Sequence, residues 1–541
     1  MQSKRIMALS IVVMIIFIVL ISPLALNGGF GLDDFDYIDG AMRVNHEMSS
    51  GQGTFLDVLK SDFVRIEKKL YTHYRPGSYL ITSMIVWSRG ADAPAFIVFG
   101  LLSHLIITLL FYRLAYKIIG DWLKAFWAAL FVLSQPLVIS AVIWPGAAIF
   151  YMPFAICHLL VILSFVKYLE SHKQLWLLLS ASLLLLQCTF LEGAAVTILV
   201  LFAYYLFAYP GVKRRGLWIF FLRPIFYPYY AAMAIWLWLY SLQNLQVSQA
   251  SLMASFAFNL RWQNLLGLPG RLVVFLFRET EKITGFSATS SGNHIISYVG
   301  LTALFVFGVV TLVQCLTLKK SPKMQFVGIW FFLEVLFRLL FGVLQSRVFY
   351  NATFPFAILL IVFLFWLAER ISGLLHRRLS TIIIGCILAL LVFLSQAVSQ
   401  RMQIRNWNRT PLFVKHETDQ ILAQAGDIKR GDSLILMAPT AEQNEMIDRD
   451  SLRKRLRAYL NDYTATINFL PFDSAEARRL SQLPWYHVLV GTPGQYQPYR
   501  SDLDVSRLIP ASLQVDYRRY QENAQRAREY RERMLRPQPK P

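Results

Sequence analysis

Cysteine is scarce, charge is thin, and no glycine-rich phosphate loop, nucleophile elbow or zinc-type ligand cluster stands in the polar parts of the sequence. The four cysteines, Cys157, Cys188, Cys315 and Cys386, lie far apart inside apolar runs. Without paired spacing they define neither a disulfide framework nor a metal site, and they read as small core residues. The missing nucleotide and nucleophile signatures argue against nucleotide-driven work. Internal repeats and low-complexity blocks are also absent. Charged residues are only 16% of the 541, and stretches of close to 20 residues repeatedly pass without one. The formal net charge of +20 does not imply nucleic acid as a partner, because many of the basic residues are scattered through short loops and form no single surface.

What fills the chain is apolar: 56% of residues are hydrophobic and 14% aromatic. A bilayer core about 30 Å thick is crossed by roughly 20 apolar residues in a helix. Continuous runs exclude the alternating pattern of a membrane β-barrel, so the expected fold is mainly α, a polytopic transmembrane helical bundle. About eleven spans are predicted, at 6–26, 94–119, 121–143, 146–168, 174–190, 193–210, 217–240, 295–318, 324–343, 349–368 and 379–398. The first run has the length of a signal peptide, but Asn27-Gly28-Gly29-Phe30 is a poor cleavage site, and it is kept as an anchor.

Cytoplasmic loops carry the excess of lysine and arginine. An N-terminus inside places Lys4 and Arg5, Arg113, Lys117 and Lys124, Lys167 and Lys173, Lys213 to Arg215, Lys319, Lys320 and Lys323, and Arg370, Arg377 and Arg378 all on the cytoplasmic side. The expected location is the cytoplasmic (inner) membrane, multi-pass. The membrane module then covers 1–398, with outer loops at 27–93 and 241–294; a small extracytoplasmic α/β domain covers 399–516 and a basic helical tail 517–541. Helix-like stretches at 35–49 and 55–70 suit the membrane surface, and 263–277, broken by Pro269-Gly270, reads as interfacial or re-entrant. In the tail, strands are predicted at 433–437, 466–470 and 485–490 and a helix at 442–459. The arginine-rich stretch 517–536 fits either a solvated helix or a binder of anionic head groups.

Candidate chemistry begins right after the first span, where Asp33, Asp34 and Asp36 stand among Phe30, Phe35 and Tyr37. Adjacent carboxylates raise one another's pKa, which fits a general base; an acidic start to a surface helix fits equally. The same loop closes on Tyr71-Thr72-His73-Tyr74-Arg75-Pro76-Gly77. A guanidinium there matches phosphate oxygens, or else snorkels in an aromatic belt. Ionisable residues within spans face a bundle interior or a wet cavity. They include His104, about mid-membrane, where a packing hydrogen bond and a catalytic role both fit; Glu192, between two spans at the outer face; the Glu334–Arg338 pair, four apart on one helical face; and Arg347 at the outer rim.

The order of these features resembles the C-type (GT-C) superfamily of membrane glycosyltransferases, in its protein O-mannosyltransferase-like branch. Asp33-Asp34 is similar to the acidic pair of the superfamily's first outer loop. Arg75-Pro76, then Trp87, Gly90, Pro94 and Leu101-Leu102-Ser103-His104, resembles the arginine-proline signature and second-span histidine. Gln135-Pro136 through Val142-Ile143-Trp144 resembles the proline-to-tryptophan stretch, and Phe190-Leu191-Glu192-Gly193-Ala194 the glutamate motif. The likeness covers about residues 1–210, with a looser echo at 347–355; Leu191 stands where a basic residue is usual and Ser140 where an acidic one is. The resemblance implies transfer of a sugar from a polyprenyl-phosphate donor to a lipid, glycan or protein acceptor. Asp33 would be the base, Asp34 its neighbour in catalysis, and His73, Arg75, His104, Glu192 and Arg347 the substrate-binding set. It requires no nucleotide cofactor and admits a divalent metal near the aspartates. A lipid-linked sugar flippase, expected to show repeated halves, and an O-antigen ligase-like transferase, expected to carry its main loop late, are the other classes weighed.

Overall fold

The computed structural model describes residues 2–30, 34–51, 75–136, 139–209, 222–244, 321–340, 350–374, 380–426, 433–438, 449–460, 466–471, 482, 486–492 and 495–498. The chain divides into two compact units, Met1–Leu412 and Phe413–Pro541. Among the described residues of the first unit, five segments are long and apolar enough to cross a membrane: Met7–Leu26, Ala93–Ile119, Pro145–Ser171, Tyr350–Gly373 and Thr381–Arg405. The protein is a mainly α, polytopic membrane-helix bundle.

In chain order its helices are α1 (Gln2–Leu26), α2 (Asp34–Ser49), α3 (Pro76–Arg89), α4 (Ala93–Ile119), α5 (Trp122–Leu133) and α6 (Ile139–Ile143). Then come α7 (Pro145–Ser171), α8 (Gln174–Cys188), α9 (Ala195–Ala203) and α10 (Tyr227–Asn244). Last in this unit are α11 (Pro322–Leu340), α12 (Thr353–Leu374) and α13 (Ser380–Ala425), whose final turns belong to the second unit. The expected spans at 295–318 and the segments 55–70, 263–277 and 517–536 lie outside the described residues.

Two expected spans take a different form. The run 121–143 is interrupted: α5 stops at Leu133, Ser134 and Gln135 are not helical, and α6 begins at Ile139. Pro136 supplies the reason, since its ring removes a backbone donor and disfavours helix in the residue before it. α13 runs for 46 residues, about 69 Å at 1.5 Å per residue. Between Arg405 and Gly426 no glycine interrupts it, and Gly426, with φ at 72°, ends it.

Contacts sort the helix ends onto two faces. On one, the α4 end meets the α7 end through Lys117 and Glu170, 2.6 Å apart, and Lys323 at the start of α11 donates to the Lys117 carbonyl at 2.9 Å. On the other, Asn408 of α13 donates to the Leu24 carbonyl near the end of α1 at 2.9 Å, and Trp407 lies 5.2 Å from Trp144, just ahead of α7. The starts of α2 and α3 join this second face.

The second unit holds a four-stranded sheet in the order β2-β1-β3-β4, with β1 (Ser433–Ala438), β2 (Thr466–Pro471), β3 (Tyr486–Thr492) and β4 (Gln495–Pro498). β1 is parallel to β2 and β3, and α14 (Arg449–Leu460) provides the crossover that parallel neighbours require. Leu434 and Leu436, two apart on β1, share a core with Leu452 and Leu456, four apart on α14, and with Ile421, Ala425, Ile467 and Leu489. Strand and helix periods thus aim at one apolar layer.

Candidate active site

The first two turns of α7 organise the site. A helix N-terminus presents unpaired N–H groups and partial positive charge, and Pro145, the first residue of α7, gives up no hydrogen bond there. Asp34, only 1% exposed, lays its carboxylate on this end: Oδ1 accepts from the Gly146 N–H at 2.6 Å. That approach requires glycine, because a Cβ at 146 would stand 2.3 Å from Asp34 Oδ1. One turn further along the same face, the Arg75 guanidinium lies over the Phe150 ring, 5.0 Å from its centroid. Tyr37 meets that ring edge-on at 5.0 Å and also neighbours Tyr79 at 6.2 Å. Acid and guanidinium, from the two ends of the first loop, are therefore referenced to Gly146 and Phe150.

Arg75 itself is seated by the residues that follow it. Pro76 opens α3, and the Gly77 N–H donates to the Thr189 carbonyl at 3.1 Å. A Cβ at Gly77 would fall 2.4 Å from Thr189 Oγ1 and 2.6 Å from the Phe190 ring. The Arg-Pro-Gly turn consequently rests on the segment that leads into the short 3-10 turn Glu192–Ala194. Gly100 of α4 packs on the α6 backbone, where a Cβ would lie 1.9 Å from the Val142 carbonyl oxygen. Asp34, Arg75 and Gly100 thus reach the start of α7 through Gly146, Phe150 and Ala148, and Phe190 joins them through Gly77.

Below this layer, His104 is fully buried and answers the break in α5. Its Nε2 donates to the Leu133 carbonyl at 3.2 Å, leaving Nδ1 to accept from the Tyr350 hydroxyl. Gln400 of α13 donates to the same carbonyl at 3.1 Å. A helix that stops inside a bilayer leaves carbonyls with no water to take up, so such breaks persist only where protein groups satisfy them. His104, expected as a substrate-binding residue, has both ring nitrogens engaged within the bundle.

A second buried polar chain runs through four helices. Glu334 of α11, 1% exposed, has Oε1 3.5 Å from His158 Nε2 of α7. His158 Nδ1 is 2.9 Å from Thr197 Oγ1, and the Thr197 hydroxyl donates to Gln187 Oε1 at 3.1 Å. Glu334 was expected to pair with Arg338, whose side chain lies outside the described residues; the structure gives it His158. His158, Tyr350 and Phe150 are not among the site residues expected from the sequence. An ionisable residue at 158, well inside an apolar run, was the available signal for the first.

Asp33, His73 and Arg347 lie outside the described residues, as does the side chain of Glu192. Among the described residues no three of His, Cys, Asp and Glu gather as a ligand set. Asp34 commits one oxygen to an N–H donor, which marks it as an acceptor held in place by α7.

No protein-family model matches the sequence, and no curated protein matches it. Among solved structures, the chain is similar to the Archaeoglobus fulgidus oligosaccharyltransferase tethered to an acceptor peptide containing the NVT sequon, with a TM-score of 0.46 and 11% identity over 84% of this chain and 63% of that one. The chain thus spans less than two thirds of the length of that protein. It is also similar to ArnT from Cupriavidus metallidurans in the apo state, with a TM-score of 0.47 and 14% identity over 86% of each chain.

Proposed function

We propose that this chain is an integral membrane glycosyltransferase that moves a sugar from a polyprenyl-phosphate donor to an acceptor hydroxyl at the outer face of the cytoplasmic membrane. The supporting observation is the meeting of Asp34 and Arg75 at the start of α7, one on Gly146 and the other on Phe150. A fixed carboxylate beside a guanidinium suits a reaction in which a hydroxyl loses a proton on one side while a phosphate leaves on the other.

In this reading Asp33 takes the acceptor proton as the hydroxyl oxygen attacks the anomeric carbon, with inversion. The bond from that carbon to the phosphate oxygen breaks, and polyprenyl phosphate departs. Asp34, anchored on α7, orients its neighbour. Arg75 and Arg347 hold the leaving phosphate, with His73 and Glu192 lining the donor head, while His104 supports the site through the α5 break. The reading keeps about eleven spans, an N-terminus inside and the small C-terminal domain outside.

The test is Asp33→Asn in membranes supplied with candidate polyprenyl-phosphate sugars. Loss of a positioned general base lowers transfer by about 10²–10⁴-fold. Transfer at the unaltered rate removes Asp33 from the mechanism, and a failure of the unaltered chain with every donor removes the transferase reading. Lipid analysis of cells lacking the protein then names the donor that accumulates; a flippase would instead leave its carrier lipid on the cytosolic leaflet.

A further inference from the structure

Two consecutive residues of α13 reach the two chain segments that bring Asp34 and Gly146 together. Asn408, only 6% exposed, donates through Nδ2 to the Leu24 carbonyl at 2.9 Å. That carbonyl belongs to the last turn of α1, where helix geometry leaves C=O groups without an internal donor. Oδ1 of the same side chain lies against Gly28, where a Cβ would stand 3.0 Å from it and 3.2 Å from Ile97 of α4. The chain leaving α1 is therefore pinched between α13 and α4. Two residues further on, Phe30 is buried edge-on against Phe35, the neighbour of Asp34, and against Phe96 of α4, each at 5.7 Å. Asn408 thus fixes the point from which the stretch bearing the aspartates sets out.

Trp407 takes the other segment. Its ring lies 5.2 Å from that of Trp144 at a tilt of 43°. Trp144 is the N-cap of α7: its carbonyl accepts from the Ala147 and Ala148 N–H groups at 3.0 and 2.8 Å, and Gly146, two residues on, donates to Asp34. Successive helical positions point about 100° apart, so neighbours on one helix can address two segments at once. Gln400, seven residues earlier and on the Trp407 face, donates to the Leu133 carbonyl at 3.1 Å, where α5 ends. Trp407 Nε1 and Asn408 Oδ1 are buried and have no hydrogen-bond partner among the described residues. Buried polar atoms in that condition cost stability, and an apolar side chain would carry no such cost. Packing alone does not account for this pair.

We propose that Trp407 and Asn408 are positioning residues: by holding the start of α7 and the end of α1 on one rigid helix, they set the distance between Asp34 and the Gly146 N–H, and so the placement of the aspartate pair. The tether stands on geometry alone; its consequence for transfer rests on the transferase reading. Neither residue holds Arg75, which is seated on Phe150 and by the turn at Gly77. The expected signature is a loss in kcat at constant donor KM.

The experiment uses the full chain in proteoliposomes with a panel of polyprenyl-phosphate hexoses and pentoses. Trp407→Leu and Asn408→Leu each lower kcat by about tenfold, a fraction of the loss expected for a displacement of about 1 Å, with donor KM within about twofold. Trp407→Phe, which keeps a ring on Trp144, restores kcat to within about twofold, and Met402→Ala, on an exposed part of α13, is the control. The decisive measurement is a double-mutant cycle with Gly146→Ala, because residues acting through one contact are not additive. Trp407→Leu added to Gly146→Ala should lower kcat by less than about twofold more; a further loss of about tenfold overturns the proposal. A raised KM at unaltered kcat overturns it too. Should Trp407→Leu not fold, Asn408→Leu carries the same cycle. If the unaltered chain transfers from no donor, the transferase reading fails, and thermal unfolding of the same four proteins decides the tether. A smaller drop in melting temperature from Gly146→Ala in the Trp407→Leu background upholds it, and an equal drop overturns it.

Discussion

Gly146→Ala isolates the contact between Asp34 and α7. The added Cβ would stand 2.3 Å from Asp34 Oδ1, the same oxygen that accepts the Gly146 N–H at 2.6 Å. The carboxylate has to retreat by roughly 1 Å to reach van der Waals separation. That retreat removes a hydrogen bond to a charged acceptor, worth about 1.5–3 kcal/mol. Alanine's better helix propensity returns less than about 1 kcal/mol. The expected net loss of stability is therefore about 1–2 kcal/mol, small enough for the protein to fold. The effect on transfer is larger, because displacing a catalytic group by about 1 Å lowers the rate on the order of 100-fold. Arg75 and Phe150 are untouched, so kcat falls and the donor KM holds. Transfer kinetics in proteoliposomes and thermal unfolding of the purified chain measure the two effects. Gly373→Ala, where nothing lies within 4 Å of the added carbon, is the control. A Gly146→Ala protein with unaltered kcat would refute the assignment of Asp34 to the site.

Three more outcomes are expected. Tyr350→Phe removes the hydroxyl that serves His104 Nδ1 and leaves a buried acceptor, lowering stability by about 1–3 kcal/mol in thermal unfolding, with a larger loss in Tyr350→Phe/Gln400→Leu, where Leu133 also loses a donor. Tyr459 of the second unit has its pKa pushed up to about 12, chiefly by burial, then by Asp419, with Arg455 opposing. An unfolded tyrosine ionises near about 10, so this contribution is fully present below that pH and is lost as pH rises toward the folded value; alkaline melts should flatten in Tyr459→Phe. Thr197→Val uncouples His158 from Gln187 and raises the donor KM at little change in kcat, and Thr197→Ser restores it.

The long apolar helices were legible because length and hydropathy alone define them: α4, α7 and α12 lie within a few residues of the runs that announced them. The α5 break was not, since Leu133, Leu137, Val138 and Ile139 keep the stretch apolar on both sides of Ser134–Pro136. Hydropathy averages across such a gap; the proline was the clue. The first-loop acid and guanidinium were legible as residue types. Their supports were not, because Gly146 is 112 positions from Asp34 and reads as one small residue in an apolar run. Tyr350 was equally silent, lying 246 positions from His104.

The two groups at the heart of the site depend on different parts of the bundle. α7 is its central element, with 83% of its most apolar stretch buried, against 22% for the first span and 11% for Thr381–Arg405. A group fixed to α7 inherits that rigidity, and Asp34 is fixed to nothing less than its backbone N–H. Arg75 lies over the Phe150 ring of α7, and the turn that carries it is set by Gly77 on Thr189. Thr189 stands two residues after Gln187, and Gln187 is tied through Thr197 to His158, back on α7. A small tilt of α7 therefore carries acid and guanidinium together, whereas a shift of the turn at 189–194 moves the guanidinium alone. Perturbations should separate accordingly: those at Gly146 act on the attacking side and lower kcat, while those at Thr197 act on phosphate binding and raise KM.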